Sequence, residues 1–135
     1  MGPRELMSEA ERAAEKAYAP YSRFRVGAAL LLSDGSVATG ANVENRSYGL
    51  SNCAERSAVF ALVSSGRKDI AAVAVAAVDA REPVPPCGAC RQVLSEFCPP
   101  DTPLYYGDGD GGWIEASVGS LLPADSLQHM KDSEG

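Results

Sequence analysis

One stretch limits the folds open to this chain more than any other. Residues 70–78, Ile-Ala-Ala-Val-Ala-Val-Ala-Ala-Val, form a nearly unbroken apolar run. No alternation leaves one side to water, so the run is expected to be a central strand covered by helices on both faces. The remaining segments supply those covers. Residues 3–18 read as a helix with Leu6, Ala10, Ala13, Ala14 and Ala17 on one face, stopped by Pro20. Tyr18 to Ser22 then makes a tight connection into Phe24. Val26 to Leu32 reads as a strand, Ser33-Asp34-Gly35-Ser36 as a hairpin turn, and 37–42 as the return strand. Gly27 and Gly40 within this hairpin predict either a close approach to the backbone or a bulge.

Residues 42–52 form a polar loop rich in groups able to hydrogen-bond a ligand. Ser51 or Asn52 is expected to cap the next helix, with Ala58, Leu62 and Val63 inward and Gly66 at its end. The prolines of 82–86 force an extended approach to a helix over 87–97, closed by Pro99-Pro100. Residues 102–106 and 113–118 are short strands, and their connection over 107–112 is too short for a crossover helix, so they pair antiparallel. Leu121-Leu122-Pro123 begins a last helical turn, and the tail over about 126–135 is expected to fray. The order predicts a three-layer α/β/α fold whose five-stranded mixed sheet ends in two antiparallel strands. With 135 residues, 45% hydrophobic, and neither repeat nor long linker, one domain over 1–135 is expected.

Charge narrows the partners. A formal net charge of −6 and the lack of a basic run argue against a phosphate-backbone grip. No apolar run approaches the roughly 20 residues of a membrane span. Residues 1–5 lack signal-peptide character, and Leu6 stands where a myristoylation motif wants Ser or Thr. A cytoplasmic protein acting on a small neutral or cationic molecule is the expectation. In that compartment four cysteines are metal ligands or free thiols rather than disulfides.

Three of those cysteines stand in a telling pattern. Cys87 and Cys90, spaced Cys-x-x-Cys, can face one metal from a single helical turn, and Cys53 can supply a third sulfur. Zinc held by three protein ligands keeps a fourth position for water, which marks catalytic rather than structural sites, and thiolate-rich tetrahedral sites favour zinc. Glu55, two residues from Cys53, is placed to move protons for that water. Helix starts at Cys53 and Cys87 favour the thiolates, and the two starts are expected to meet at one edge of the sheet. Three thiolates on a dication leave a net negative charge, which opposes ionising the water. Arg56 is the candidate to draw density from the sulfurs by hydrogen bonding, with Gln92 or Arg91 orienting it or donating instead. A structural four-cysteine site would need Cys98, but that residue lies eight positions beyond Cys90, about 12 Å along a helix. Cys98 is instead expected to be a buried small hydrophobe, and His129 a surface residue.

The pattern Cys53-Ala54-Glu55 with Pro86-Cys87-x-x-Cys90 resembles the zinc nucleoside and nucleobase deaminases. It is most similar to the small homotetrameric cytidine deaminases. Tyr18-Ala-Pro-Tyr-Ser-x-Phe24, Asn42-Val-Glu44-Asn45, Ser47-Tyr48-Gly49-Leu50, Cys53-Ala-Glu-Arg56, the 86–92 segment and Leu121-Leu122-Pro123 carry the likeness, over about residues 6–123.

The resemblance implies zinc on Cys53, Cys87 and Cys90, with Glu55 as the acid-base group of a hydrolytic deamination of cytidine and deoxycytidine in pyrimidine salvage. It implies that the backbone at Ala54 contacts the pyrimidine, that Phe24 covers the base, and that Asn42 and Glu44 hold the sugar hydroxyls. It further implies that the loop with Tyr48 reaches a neighbouring subunit's site in a homotetramer. One departure stands out: the family's aromatic after Leu-Leu-Pro is Ser126 here, unless Leu127 takes its place. That motivates an alternative, a deaminase of a modified nucleoside or a blasticidin-like antibiotic. A nucleic-acid editing module and a non-catalytic zinc scaffold are the remaining readings.

Overall fold

The computed structural model describes residues 1–125 and residue 130. Its elements are α1 (Pro3–Ala14), β1 (Val26–Leu32), β2 (Val37–Ala41), α2 (Ala54–Ser64), β3 (Ile70–Ala77), α3 (Gly88–Phe97), β4 (Pro103–Gly107), β5 (Trp113–Ser117) and α4 (Val118–Leu121). Among the described residues the five strands form one sheet in the order β2-β1-β3-β4-β5. β3 pairs antiparallel with β1 and parallel with β4, and β4 pairs antiparallel with β5. The mixed sheet, its antiparallel final pair and the helices on both faces are as the sequence predicts.

The apolar run of β3 hides an alternation of size. Val73 and Val75 pack on one face with Leu30, Leu104, Val59, Leu62 and Leu94. Ala72, Ala74 and Ala76 pack on the other with Leu6, Met7 and Ala10 of α1. The alanine face lets α1 lie very close. A Cβ at Gly27 would fall 1.9 Å from the Ala10 carbonyl oxygen, and one at Gly40 would fall 2.4 Å from the Ala58 nitrogen of α2. Both glycines thus serve close helix approach, and the β1–β2 register runs unbroken through them. The sheet's irregularity sits instead at Leu31/Leu32.

Several local expectations are corrected. Helix α1 ends at Ala14, not at 18. Its chain tightens into i→i−3 bonds at Glu15, Lys16 and Ala17, and Tyr18 then leaves to pair with the 42–44 segment: its nitrogen donates to the Asn42 carbonyl at 2.9 Å and its carbonyl accepts from Glu44 at 2.8 Å. That pairing draws Asn42 and Glu44 toward the 18–24 connection. Cys53, rather than Ser51 or Asn52, occupies the N-cap position of α2, and its side chain makes no capping bond. Val63 faces outward, because Ala58, Val59 and Leu62 already fill the inward stripe. Tyr48–Leu50 within the polar loop forms one 3₁₀ turn. The last helix ends at Leu121 instead of starting there, with the Ser117 hydroxyl accepting from the Ser120 nitrogen as its cap. The expectations for Ser126, Leu127, His129 and the frayed tail fall outside the described residues.

Candidate active site

Two helix starts build the site. Cys53 and Cys87 are the N-cap residues of α2 and α3, and their carbonyls accept the first helical bonds, from Ser57 and Arg91, both at 3.0 Å. Neither sulfur caps its own helix, so each remains available for another partner. Cys90 follows one turn into α3 and is fully buried. The two starts meet at a cavity that Val26 of β1 and Val75 of β3, two of the three inner strands, also line.

The three sulfurs lie within 4.8 Å of one another, Cys53 to Cys87 at 3.8 Å and Cys87 to Cys90 at 3.4 Å. Sulfurs at the corners of a tetrahedron about 2.3 Å from a shared zinc stand roughly 3.8 Å apart, so the donor set fits that ion. All the cysteines are free thiols. A hydrogen bond from the Cys90 thiol, reinforced by Arg56, pulls Cys53 down to about 5 against the opposing effect of burial. Cys90 is pushed up correspondingly. Cys98 stays apart: it ends α3 inside the main core, and burial raises its thiol to about 12. Among the described residues the cluster is therefore a three-cysteine one.

Glu55 is buried to 4% exposure beside the sulfurs, in the first turn of α2. Burial raises its carboxyl above the ordinary range. Arg56 donates Nη2 to the Cys53 sulfur at 3.2 Å, as expected of a residue that withdraws density from it. Arg91 and Gln92 do not share that task. Arg91 instead ties down the cavity wall, donating to the Pro86 carbonyl at 2.7 Å and the Leu121 carbonyl at 3.1 Å. Gln92 makes no hydrogen bond to Arg56 or to a sulfur among the described residues.

The cavity measures about 480 Å³. Phe24, Asn42, Glu44 and Ala54 line it together with Cys53, Cys87 and Glu55. Tyr48 does not: it is 80% exposed and lines a separate, adjoining hollow. Asn42 is already occupied on two sides, its Oδ1 accepting from the Val26 nitrogen and its Nδ2 donating to the Phe24 carbonyl, both at 2.8 Å. One further donor and one lone pair of that amide remain for a ligand. Sequence reasoning missed Val84 and Pro85, which form a wall. The proline-rich segment had signalled an extended path but not which way it faces.

Sulfurs gathered for one metal, a buried carboxylate at their side and a nucleoside-sized cavity above an α/β/α sheet define a zinc-dependent hydrolase site. Residues 2–106 match the family model of the cytidine and deoxycytidylate deaminase zinc-binding region. The cytidine deaminase of Halalkalibacterium halodurans is 58% identical over 128 residues, 94% of this chain and 96% of that protein. The crystal structure of cytidine deaminase from Burkholderia pseudomallei superposes with a TM-score of 0.86 at 47% identity, covering 91% of this chain and 98% of that one. A blasticidin-S deaminase of Bacillus cereus is more distant, 28% identical over 113 residues. The chain belongs to the cytidine and deoxycytidylate deaminase family.

Proposed function

We propose that this protein hydrolyses cytidine and deoxycytidine to uridine and deoxyuridine, releasing ammonia, with zinc on Cys53, Cys87 and Cys90. The observation that carries the reading is Glu55, a buried carboxylate adjoining three convergent sulfurs at the wall of the cavity. The 58% identity to a cytidine deaminase over nearly the whole chain supports the substrate. When bound, zinc supplies the Lewis acidity that makes water nucleophilic near neutral pH.

The residues divide the remaining work. Glu55 takes a proton from the attacking water and gives it to the ring nitrogen beside the amino-bearing carbon, leaving that carbon electron-poor. It then takes the remaining proton from the hydroxyl added to that carbon and passes it to the amino group, which leaves as ammonia while the carbonyl forms, so one carboxylate serves both transfers. Arg56 holds the Cys53 sulfur and moderates its charge. The Ala54 backbone orients the pyrimidine, Phe24 covers the base, and Asn42 and Glu44 bind the sugar. Gln92, beside Arg91 on α3, is the second residue read as orienting Arg56.

The finer reading is a single-domain, cytoplasmic enzyme of pyrimidine salvage, assembled as a homotetramer in which Tyr48 completes a neighbour's site. The exposure of Tyr48 at 80% and Leu50 at 72% supports that assembly. No described helix is long and apolar enough to cross a membrane. The net charge of −6 favours a free nucleoside over a nucleic acid. The antibiotic-deaminase alternative has the weaker support, given 28% identity against 58%. The test is a panel of free nucleosides, modified analogues and blasticidin-like compounds offered to zinc-loaded protein. Cytidine and deoxycytidine should show the highest specificity constants, with loss of cytosine absorbance and release of ammonia. No turnover of any cytosine nucleoside would end the reading.

A further inference from the structure

One exposed side chain at the cavity mouth makes more of the site's internal bonds than its type suggests. The Ser22 hydroxyl donates to Glu44 Oε2 and accepts from the Phe24 nitrogen, the latter at 3.1 Å. Glu44 Oε1 accepts from the backbone nitrogens of Tyr21 and Ser22 at 3.0 and 3.1 Å. Between Ser22 and Phe24, Arg23 has φ of 57°, in the left-handed region that residues bearing a side chain rarely adopt. Asn42 holds the far side of the same segment through the Phe24 carbonyl and the Val26 nitrogen. An unusual backbone turn at a ligand cavity, held from both ends, is the signature of a positioned segment rather than a loose loop.

We propose that Ser22 is a positioning residue, whose hydroxyl locks the Glu44 carboxylate and the Phe24 backbone into one unit. The sugar-binding and base-covering groups are then held at a fixed separation before substrate arrives. This inference rests on the reading of Glu44 and Phe24 as nucleoside contacts. A carboxylate offers about four acceptor sites, and three of them are taken by Tyr21 and Ser22. Glu44 is therefore aimed, with one acceptor site left for one sugar hydroxyl. Its carboxyl lies below the ordinary range, chiefly through the Ser22 hydroxyl, so it stays ionised near neutral pH.

The alternative is that Glu44 merely braces the 21–25 turn, in which case Ser22 would matter to stability alone. Zinc-loaded full-length enzyme, Ser22→Ala, Ser22→Thr, Glu44→Gln and the Ser22→Ala/Glu44→Gln pair decide between them. The hydroxyl bond acts on a charged group and its loss weakens ground-state and transition-state binding alike. KM for cytidine should therefore rise about tenfold in Ser22→Ala while kcat changes by less than about threefold. Ser22→Thr, which keeps the hydroxyl, should restore KM. In the Glu44→Gln background Ser22→Ala should raise KM by clearly less than it does in the wild type, because only the bond to the Phe24 nitrogen is then lost in full. Calorimetric titration with uridine should follow the same order without any catalysis. An unchanged KM and uridine affinity in Ser22→Ala, or effects that simply add in the double variant, would overturn the proposal. Should the wild type fail to deaminate cytidine, the proposed activity falls, and the uridine titration still decides the role of Ser22.

Discussion

The two faces of the sheet solve opposite problems. Against α1 the sheet presents Ala29, Ala72, Ala74 and Ala76, and the helix answers with Leu6, Met7 and Ala10. Nothing polar is buried in that cluster, and the elements approach until only a glycine fits at position 27. Against α2 and α3 the sheet presents larger side chains, Leu30, Val73, Val75 and Leu104. On this face α2 still comes close at Gly40, yet the starts of α2 and α3 converge on a cavity that includes a buried carboxylate and two of the sulfurs expected to bind metal. One face spends its contacts on density, while the other tolerates a charged group that burial disfavours. The chemistry sits where packing alone would not have placed those residues.

That contrast makes separable predictions. The largest effect is expected at Glu55. Glu55→Gln should cut cytidine turnover by about 10²–10⁴-fold, the usual worth of a proton-transferring side chain, while zinc content stays at wild-type level. Its unfolding midpoint should match or exceed wild type, because a neutral amide replaces a carboxyl that burial disfavours. Equal turnover in this variant would remove Glu55 from the chemistry and erase the distinction between the faces. On the other face Gly27→Ala should do the reverse. Its Cβ would meet the Ala10 carbonyl oxygen at 1.9 Å, a backbone atom that cannot swing aside. Denaturant unfolding should show a loss of about 1–3 kcal/mol, with KM and zinc content of the folded protein preserved. If Gly27→Ala were as stable as wild type, α1 would not be packed as closely as described.

The smallest effect concerns the seam where β1 and β3 approach the cavity. Asp79 accepts from the Arg25 backbone nitrogen at 2.8 Å and from its guanidinium at 2.9 and 3.1 Å. The guanidinium holds the Asp79 carboxyl at about 2, below its ordinary 3.8. A depressed carboxyl stabilises the fold above its unfolded value, and that contribution fades as pH falls through the folded one. Asp79→Asn should therefore be less stable than wild type above about pH 4, with the gap closing toward pH 2. A gap that instead widened on acidification would contradict the pairing.

Much of this was legible in the residues, for identifiable reasons. Spacing alone brought Cys87 and Cys90 together, since one helical turn sets their separation. The apolar run at 70–78 announces a doubly covered strand because burial on both faces leaves no polar positions. What spacing could not supply was the partner of each polar group. Tyr18 was assigned to a helix because alanines continue the periodic stripe to Ala17. Its backbone groups instead pair with residues 42–44, more than twenty positions away, and no local pattern reports that. Arg56 is the favoured donor to sulfur in the sequence, with Arg91 or Gln92 as the fallback. Their places on different helices send Arg56 to Cys53 and Arg91 to the carbonyls of Pro86 and Leu121. Ser22 was invisible for the same reason, its importance lying in Glu44, far along the chain.

Three sulfurs, and no fourth, are expected to grip one zinc ion. X-ray absorption at the zinc edge of the purified, active protein tests this without relying on turnover. Three sulfur neighbours and one lighter oxygen or nitrogen neighbour are expected. Four sulfurs, or fewer than three, would contradict it.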